Sequence, residues 1–381
     1  MPELTTELRQ LRELGREIGV ELRSFALALD ADPLDRTPLE ASSALELLRA
    51  IATPSRFRDH DVPPFTRLYT ESCLARTVTN VELARGDAGV MNACATPGLA
   101  GLTVDVLGSE AQQELFYGEL AGNRLGSFFG MTEPMHGTDA TAMRTRLDAD
   151  PCTSLRLRGV KHYVANATRG GIGVVFARTG ANTLSIRAVL LHRDAPGFAC
   201  RTLDMLGLRG ACIGEMSFDA VPIERDLVLG NHLPASRRGI WGVSRTFNVM
   251  RLQIAAQAVG VALAIRDYVC AERPGWDGHE LVSARLDAAR ELVYDCAIEV
   301  DQHPDNRQAP SIGKAHTTTL AVEVSRWAES VLGPGCLLAN PLLEKWCRDV
   351  YAFEFMDGTS NFLRLTIAAD EAGRPAEASG R

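Results

Sequence analysis

An α+β fold, helical at both ends with a β block between, follows from two changes of apolar period along the chain. In the first third, and again beyond about residue 240, apolar residues recur at three- and four-residue steps, the spacing of one helix face. Between about residues 155 and 218 they gather instead into short runs rich in Val, Ile and Leu, bounded by turn residues. Strands grouped in one block, with no helices interleaved, point to a compact β unit rather than a parallel α/β sheet.

Leu4, Leu8, Leu11, Leu14, Ile18, Leu22 and Phe25 lay one apolar stripe along a first helix. Asp30-Ala31-Asp32-Pro33 ends it, because the residue before a proline is driven out of the α region. Residues 66–125 read as further helices, broken near Gly86 and at Pro97-Gly98. In the β block, residues 155–158, 172–178, 184–191 and 215–218 read as strands, and Asp194-Ala195-Pro196-Gly197 as a turn. Helices return over residues 252–273, 281–300 and 316–332. A polar loop at 301–310 separates the last two, and Gly333 stands ready as a C-terminal cap. The tail beyond Asp370 is small and polar and reads as frayed.

Composition narrows the function classes. Hydrophobic residues at 46% and charged residues at 23% describe a globular protein. A net charge of −8 opposes a nucleic-acid partner, whose phosphates need clustered Lys and Arg. No run of eighteen apolar residues occurs, so no membrane span is expected, and Met1-Pro2-Glu3-Leu4 lacks the pattern of a signal peptide. Nine cysteines without a C-x-x-C pair read as reduced thiols of a cytoplasmic enzyme, and no Cys or His spacing suggests a metal.

The chemistry is concentrated in two segments. Phe129-Gly130-Met131-Thr132-Glu133-Pro134-Met135-His136-Gly137-Thr138-Asp139 is followed by Gly159-Val160-Lys161-His162-Tyr163-Val164-Ala165-Asn166. A Thr-Glu-Pro turn, a Gly-Thr-Asp step and a strand carrying Gly-x-Lys and an aromatic resemble the flavin cradle of the acyl-CoA dehydrogenases. Leu206-Gly207-Leu208-Arg209, Phe247-Asn248-Val249-Met250-Arg251 and Leu332-Gly333-Pro334-Gly335 extend the likeness over about residues 75–370.

The resemblance implies an N-terminal helical domain over residues 1–128 and a middle β-barrel or β-sandwich domain over 129–235. A C-terminal four-helix bundle with the catalytic loop would cover 236–381. It also implies FAD as cofactor and a homodimer or homotetramer. To the cofactor site it assigns Phe129, Met131, Gly137 and Ala165, with Thr132 at the pyrimidine edge, Thr138 at the pyrophosphate and Tyr163 against the ring. Arg273 would reach the neighbouring subunit's FAD, and Thr359 would contact the cofactor or the loop backbone. Donors belong at that ring because it gains negative charge on reduction.

The family's base is the glutamate of a Glu-Gly-Thr loop; here Asp357-Gly358-Thr359 takes its place. Arg251 is the candidate charge beside it. Met250 fills the position where some relatives carry a relocated base. Aspartate withdraws the carboxylate by about 1.5 Å, a misplacement that can cost ~10²-fold in rate unless the site compensates. Asp357 is therefore either a working base or a polar relic. Other departures concern the cofactor and the carrier. Ala165 stands where a hydroxyl is usual, and the Arg273 loop is shorter than in the family. Arg56, Arg58 and Arg67 could serve an acidic carrier as a landing patch. His136 reads as a bland loop histidine.

The implied activity is FAD-dependent dehydrogenation of an acyl thioester. Asp357 takes the α proton and flavin N5 the β hydride. The substrate is an acyl-CoA or an acyl-carrier-protein thioester, and the acceptor an electron-transfer flavoprotein or oxygen. Two alternatives stay open: a flavin monooxygenase or oxidase on the same scaffold, and a non-catalytic subunit paired with an active homologue.

Overall fold

The computed structural model describes residues 4–40, 42–58, 61–123, 125–149 and 155–372. The N-terminal helices are α1 (Thr6–Ala31), α2 (Thr37–Glu40), α3 (Ser43–Ala52), α4 (Leu68–Glu71), α5 (Cys73–Ala93), α6 (Gly98–Leu107) and α7 (Glu110–Asn123). The Thr5 hydroxyl caps α1 by accepting from Leu8 N at 3.3 Å, and Asp32 closes it just before Pro33. Along the expected stripe, Leu8, Leu11, Ile18 and Leu22 are buried, while Leu14 and Phe25 lie at its edge.

The break expected near Gly86 falls at Asp87, whose φ of −164° and ψ of 120° interrupt α5. It adjoins a close crossing: a Cβ on Gly86 would lie 2.1 Å from the Gly19 carbonyl oxygen of α1. The interruption turns the Asp87 carboxylate into the core. There it accepts from Val90 N at 2.9 Å, from Trp346 Nε1 at 3.2 Å and from Lys345 Nζ at 2.7 Å. Lys345 also donates to Asp349 at 2.7 Å, and Asp349 accepts from Leu208 N at 2.6 Å. One buried, fully hydrogen-bonded network thus ties an N-terminal helix, a C-terminal helix and the β block together.

The β block is one curled seven-stranded sheet: β1 (Ser127–Gly130), β2 (Arg146–Ala149), β3 (Leu155–Val164), β4 (Ile172–Arg178), β5 (Ile186–His192), β6 (Phe198–Thr202) and β7 (Gly214–Ile223). Strand order is β1-β4-β2-β3-β7-β6, with β5 on the other side of β4. β1 runs parallel to β4; β5 is antiparallel to it. Residues of β4 alternate between two cores. Val174 and Phe176 face α6 and α7, while Val175 and Ala177 face the inside of the curl with Leu157, Met216 and Val221. The three strands with no sequence signal of their own, β1, β2 and β6, are only four or five residues long.

The C-terminal helices are α8 (Ile240–Glu272), α9 (His279–Gln302), α10 (Gln308–Leu332), α11 (Cys336–Ala339), α12 (Pro341–Phe353) and α13 (Ser360–Ala372). α8 begins well before residue 252 and is buried on every side over residues 251–265, which accounts for an apolar composition long enough to cross a membrane. The polar loop is shorter than expected. Asn306 accepts from Gln308 N and Ala309 N and starts α10, whose first turn tolerates Pro310. Gly333, at φ +86°, ends that helix as anticipated. Of the eight described cysteines, all free thiols, six are buried; the tail beyond residue 372 lies outside the described residues.

Candidate active site

The Thr132 turn is closed on itself. Glu133 N donates to His136 O at 3.0 Å, and His136 N donates back to Glu133 O at 3.2 Å. The Glu133 side chain is buried and receives Lys161 Nζ at 3.0 Å, Arg144 N at 2.6 Å and Thr145 N at 2.8 Å. Burial alone would raise its carboxyl, but Lys161 and these hydrogen bonds hold it down to about 2, so the pair stays ionised. Lys161 donates in addition to Met131 O at 2.9 Å, and His162 N to Thr132 O at 2.8 Å. The Glu of Thr-Glu-Pro and the Lys of Gly-x-Lys are therefore one clamp that fixes the turn against β3. Gly159 serves the same join: at φ +145°, a Cβ there would meet Thr145 Oγ1 at 2.5 Å.

Beyond Lys161 the pairing of β3 with β7 shifts register, and Tyr163 takes φ +56° with 61% of its surface exposed. A left-handed tyrosine is strained by about 1 kcal/mol or more, and such strain gathers where a binding surface needs it. Ala165 is half-buried on the same stretch. Phe129, on β1, meets Phe247 of α8 edge-on with ring centroids 5.9 Å apart. The Arg251 guanidinium lies 5.9 Å from the centroid of that same Phe247 ring.

Arg251 leads to the loop between α12 and α13. Its Nε donates to Asp357 O at 3.2 Å, and Lys314 Nζ, fully buried on α10, donates to Gly358 O at 2.8 Å. Asp357 and Gly358 both take left-handed backbone, φ +50° and +103°. Asp357 is hemmed in by protein yet keeps some solvent contact. Burial pushes its carboxyl up to about 6 against the opposing pull of Lys314 and Arg251. Burial likewise brings Lys314 down to about 8, with Asp357 and Glu354 acting the other way. A half-buried carboxylate poised near neutrality is what proton abstraction requires.

The site thus joins Phe129 on the sheet to the Asp357 loop on the helices through Phe247 and Arg251. Residues 128–221 match the acyl-CoA dehydrogenase middle domain, and residues 279–371 the acyl-CoA dehydrogenase C-terminal domain. The chain belongs to the acyl-CoA dehydrogenase family. A probable acyl-CoA dehydrogenase of Mycobacterium leprae (strain TN) is 26% identical over 390 residues, spanning 95% of this chain and 96% of the relative. In fold, the chain matches a glutaryl-CoA dehydrogenase from Mycobacterium smegmatis in complex with FADH2. The TM-score is 0.79 at 20% identity, with 98% of this chain and 96% of that one covered. It matches the prolyl acyl carrier protein oxidase AnaB at TM-score 0.83 and 20% identity, with 97% and 100% covered. Membership makes it a flavoprotein oxidoreductase.

The residues present fit the family's flavin. Tyr163 offers an exposed ring, and beside the Thr132 turn the His136 Nε2 is enclosed without a protein partner. The Glu133–Lys161 clamp holds Met131 and the Thr132 turn against the strand that leads to Tyr163, and Phe129 meets Phe247 of α8. Gly137 and Thr138 lie on the exposed limb of the turn. The Thr359 hydroxyl caps α13 by accepting from Phe362 N at 3.3 Å, the loop-backbone alternative for that residue. Arg273 does not join the cluster. It ends α8 twenty-two residues after Arg251, roughly 33 Å along the helix axis, and is exposed.

The Arg56, Arg58 and Arg67 patch needs correction. Arg58 is a half-buried staple donating to the carbonyls of Thr53 at 2.7 Å, Ile51 at 3.2 Å and Thr66 at 3.3 Å, and to Thr66 Oγ1 at 3.2 Å. The sequence reading also missed Lys314. Its signal was a lysine on the buried stripe of α10, in line with Thr317, Thr318 and Ala321.

Proposed function

We propose that this acyl-CoA dehydrogenase family member oxidises an acyl thioester at its α and β carbons with Asp357 as the base. The observation that carries the reading is the Asp357 carboxyl, half-buried, raised to about 6 and set on a left-handed turn between Arg251 and Lys314. FAD, when bound, accepts the hydride from the β carbon. Thr132, Tyr163 and Phe129 would hold its ring, with the Glu133–Lys161 pair keeping the Thr132 turn in place. Asp357 takes the α proton as the α C–H bond breaks, and Arg251 keeps the carboxylate aimed by holding its own backbone carbonyl. Phe129 and Phe247, in edge-on contact, join the sheet to the helix that carries Arg251.

Both CoA and a phosphopantetheinyl carrier present the same thioester to this base. The fold likeness to a carrier-protein oxidase supports keeping the carrier reading, and Ala165, which offers no hydroxyl, supports oxygen as an acceptor beside an electron-transfer flavoprotein. Arg273, solvent-exposed and far from its own cradle, supports a homo-oligomer in which it serves a neighbouring site.

The test is anaerobic mixing of the FAD-loaded protein with CoA thioesters and carrier-bound thioesters of graded length. Bleaching of the flavin band by at least one thioester, lost in Asp357→Asn with FAD still bound, is the expected result. Undiminished bleaching in that variant would remove Asp357 from the mechanism. No bleaching by any thioester would favour a non-catalytic subunit.

A further inference from the structure

The Asp357 loop is gripped at two successive carbonyls by two cations from different helices. Arg251 of α8 holds the carbonyl of Asp357, and Lys314 of α10 holds that of Gly358. Both side chains are buried, Lys314 completely. A buried ammonium is expensive to desolvate, and a neutral donor could satisfy one backbone carbonyl at far lower cost. The charge itself therefore calls for an explanation, and the strongest opposite charge acting on Lys314 is that of Asp357.

We propose that Lys314 is a positioning residue for the base: through the Gly358 carbonyl it fixes the left-handed Asp357–Gly358 pair, and it sets a positive charge opposite the Asp357 carboxylate. The inference rests on Asp357 being the base. It also answers the missing methylene, because a shorter carboxylate must be aimed by its backbone, and two carbonyl anchors on consecutive residues leave that backbone little freedom.

The charges around Asp357 come from every element packed on the loop. Arg251 projects from α8, Lys314 from α10, Glu354 from the end of α12, and Arg307, just before α10, bears on Arg251. Of the two groups that keep Asp357 ionised, Lys314 acts more strongly than Arg251. It is also the one that can lose its charge, since burial brings it down to about 8. Between about 6 and about 8 the carboxylate is ionised while the ammonium is still protonated. That window is where the loop carries both the free base and the charge opposite it.

The experiment titrates Asp357 directly in the full-length, FAD-loaded protein without substrate. Aspartate carboxyl carbons are labelled with carbon-13, and the Asp357 resonance is assigned by its loss in Asp357→Asn. In Lys314→Met the midpoint should rise by about one unit or more, because an opposite charge has been removed. Lys314→Arg should return it toward the wild-type value. In the pH profile of flavin reduction by thioester, the acid limb should move up by the same amount and the limb near 8 should disappear. A purely structural lysine would change melting temperature and leave both midpoints alone. An unchanged Asp357 midpoint in Lys314→Met overturns the proposal. If that variant does not fold, Lys314→Gln carries the same comparison. Full flavin reduction in Asp357→Asn would instead refute the base assignment, in a measurement that does not involve Lys314.

Discussion

Asp357→Asn should make the protein more stable above neutral pH while stopping its chemistry. In the folded chain Asp357 titrates near 6, against 3.8 for an exposed aspartate. A raised folded value favours the protonated form, so its contribution is complete below about 4 and is lost as pH rises through about 6. A difference of about two units is worth about 3 kcal/mol, the cost of holding an ionised carboxylate in this site at pH 8. Asparagine keeps the shape, removes the charge and tolerates left-handed backbone. Lys314, already near 8, can release its proton once its partner is neutral, which limits any penalty from the unpaired cations. Thermal melts of wild type and variant should coincide at pH 4 and diverge by roughly 4 °C or more at pH 8, the variant higher. Thioester-driven flavin reduction should fall by ~10²–10⁴-fold in the same variant. A melting difference independent of pH, or a variant less stable at pH 8, would refute the assignment of Asp357 as a destabilised, poised carboxylate.

Three further outcomes follow from particular contacts. Lys161→Met leaves Glu133 buried without its partner and should cost about 3–5 kcal/mol, with FAD released on dilution. Adding Glu133→Gln should recover part of the stability, and denaturant melts with flavin fluorescence read both. Gly86→Ala drives a Cβ into the Gly19 carbonyl and should destabilise by about 3 kcal/mol, seen as loss of soluble protein or a lowered Tm. Tyr163→Asn should relieve about 1 kcal/mol of left-handed strain while weakening FAD, so that Tm of the flavin-free protein rises as FAD affinity falls by titration.

Much of this protein is written in local pattern. The stripe from Leu8 to Leu22, the strand over Ile172–Arg178 and the stop at Gly333 each depend on neighbours in sequence, so periodicity and turn chemistry reveal them. The strands β1, β2 and β6 escape that reading, because each is too short to show a period and exists only through its partner strand. The cradle motif and the Asp357 loop could be located from residue types in order, since a left-handed turn and a carboxylate are local requirements. The order of the helical and β blocks and the positions of the cradle motif and of the Asp357 loop were thus legible in the sequence alone. What only the tertiary structure decided is their electrical state and aim. Glu133 is held low by a lysine twenty-eight residues away, and Asp357 is raised by burial and steadied by Arg251 and Lys314 from two other helices. Desolvation and opposed charge act through space, and no local pattern records which distant side chains folding brings within reach.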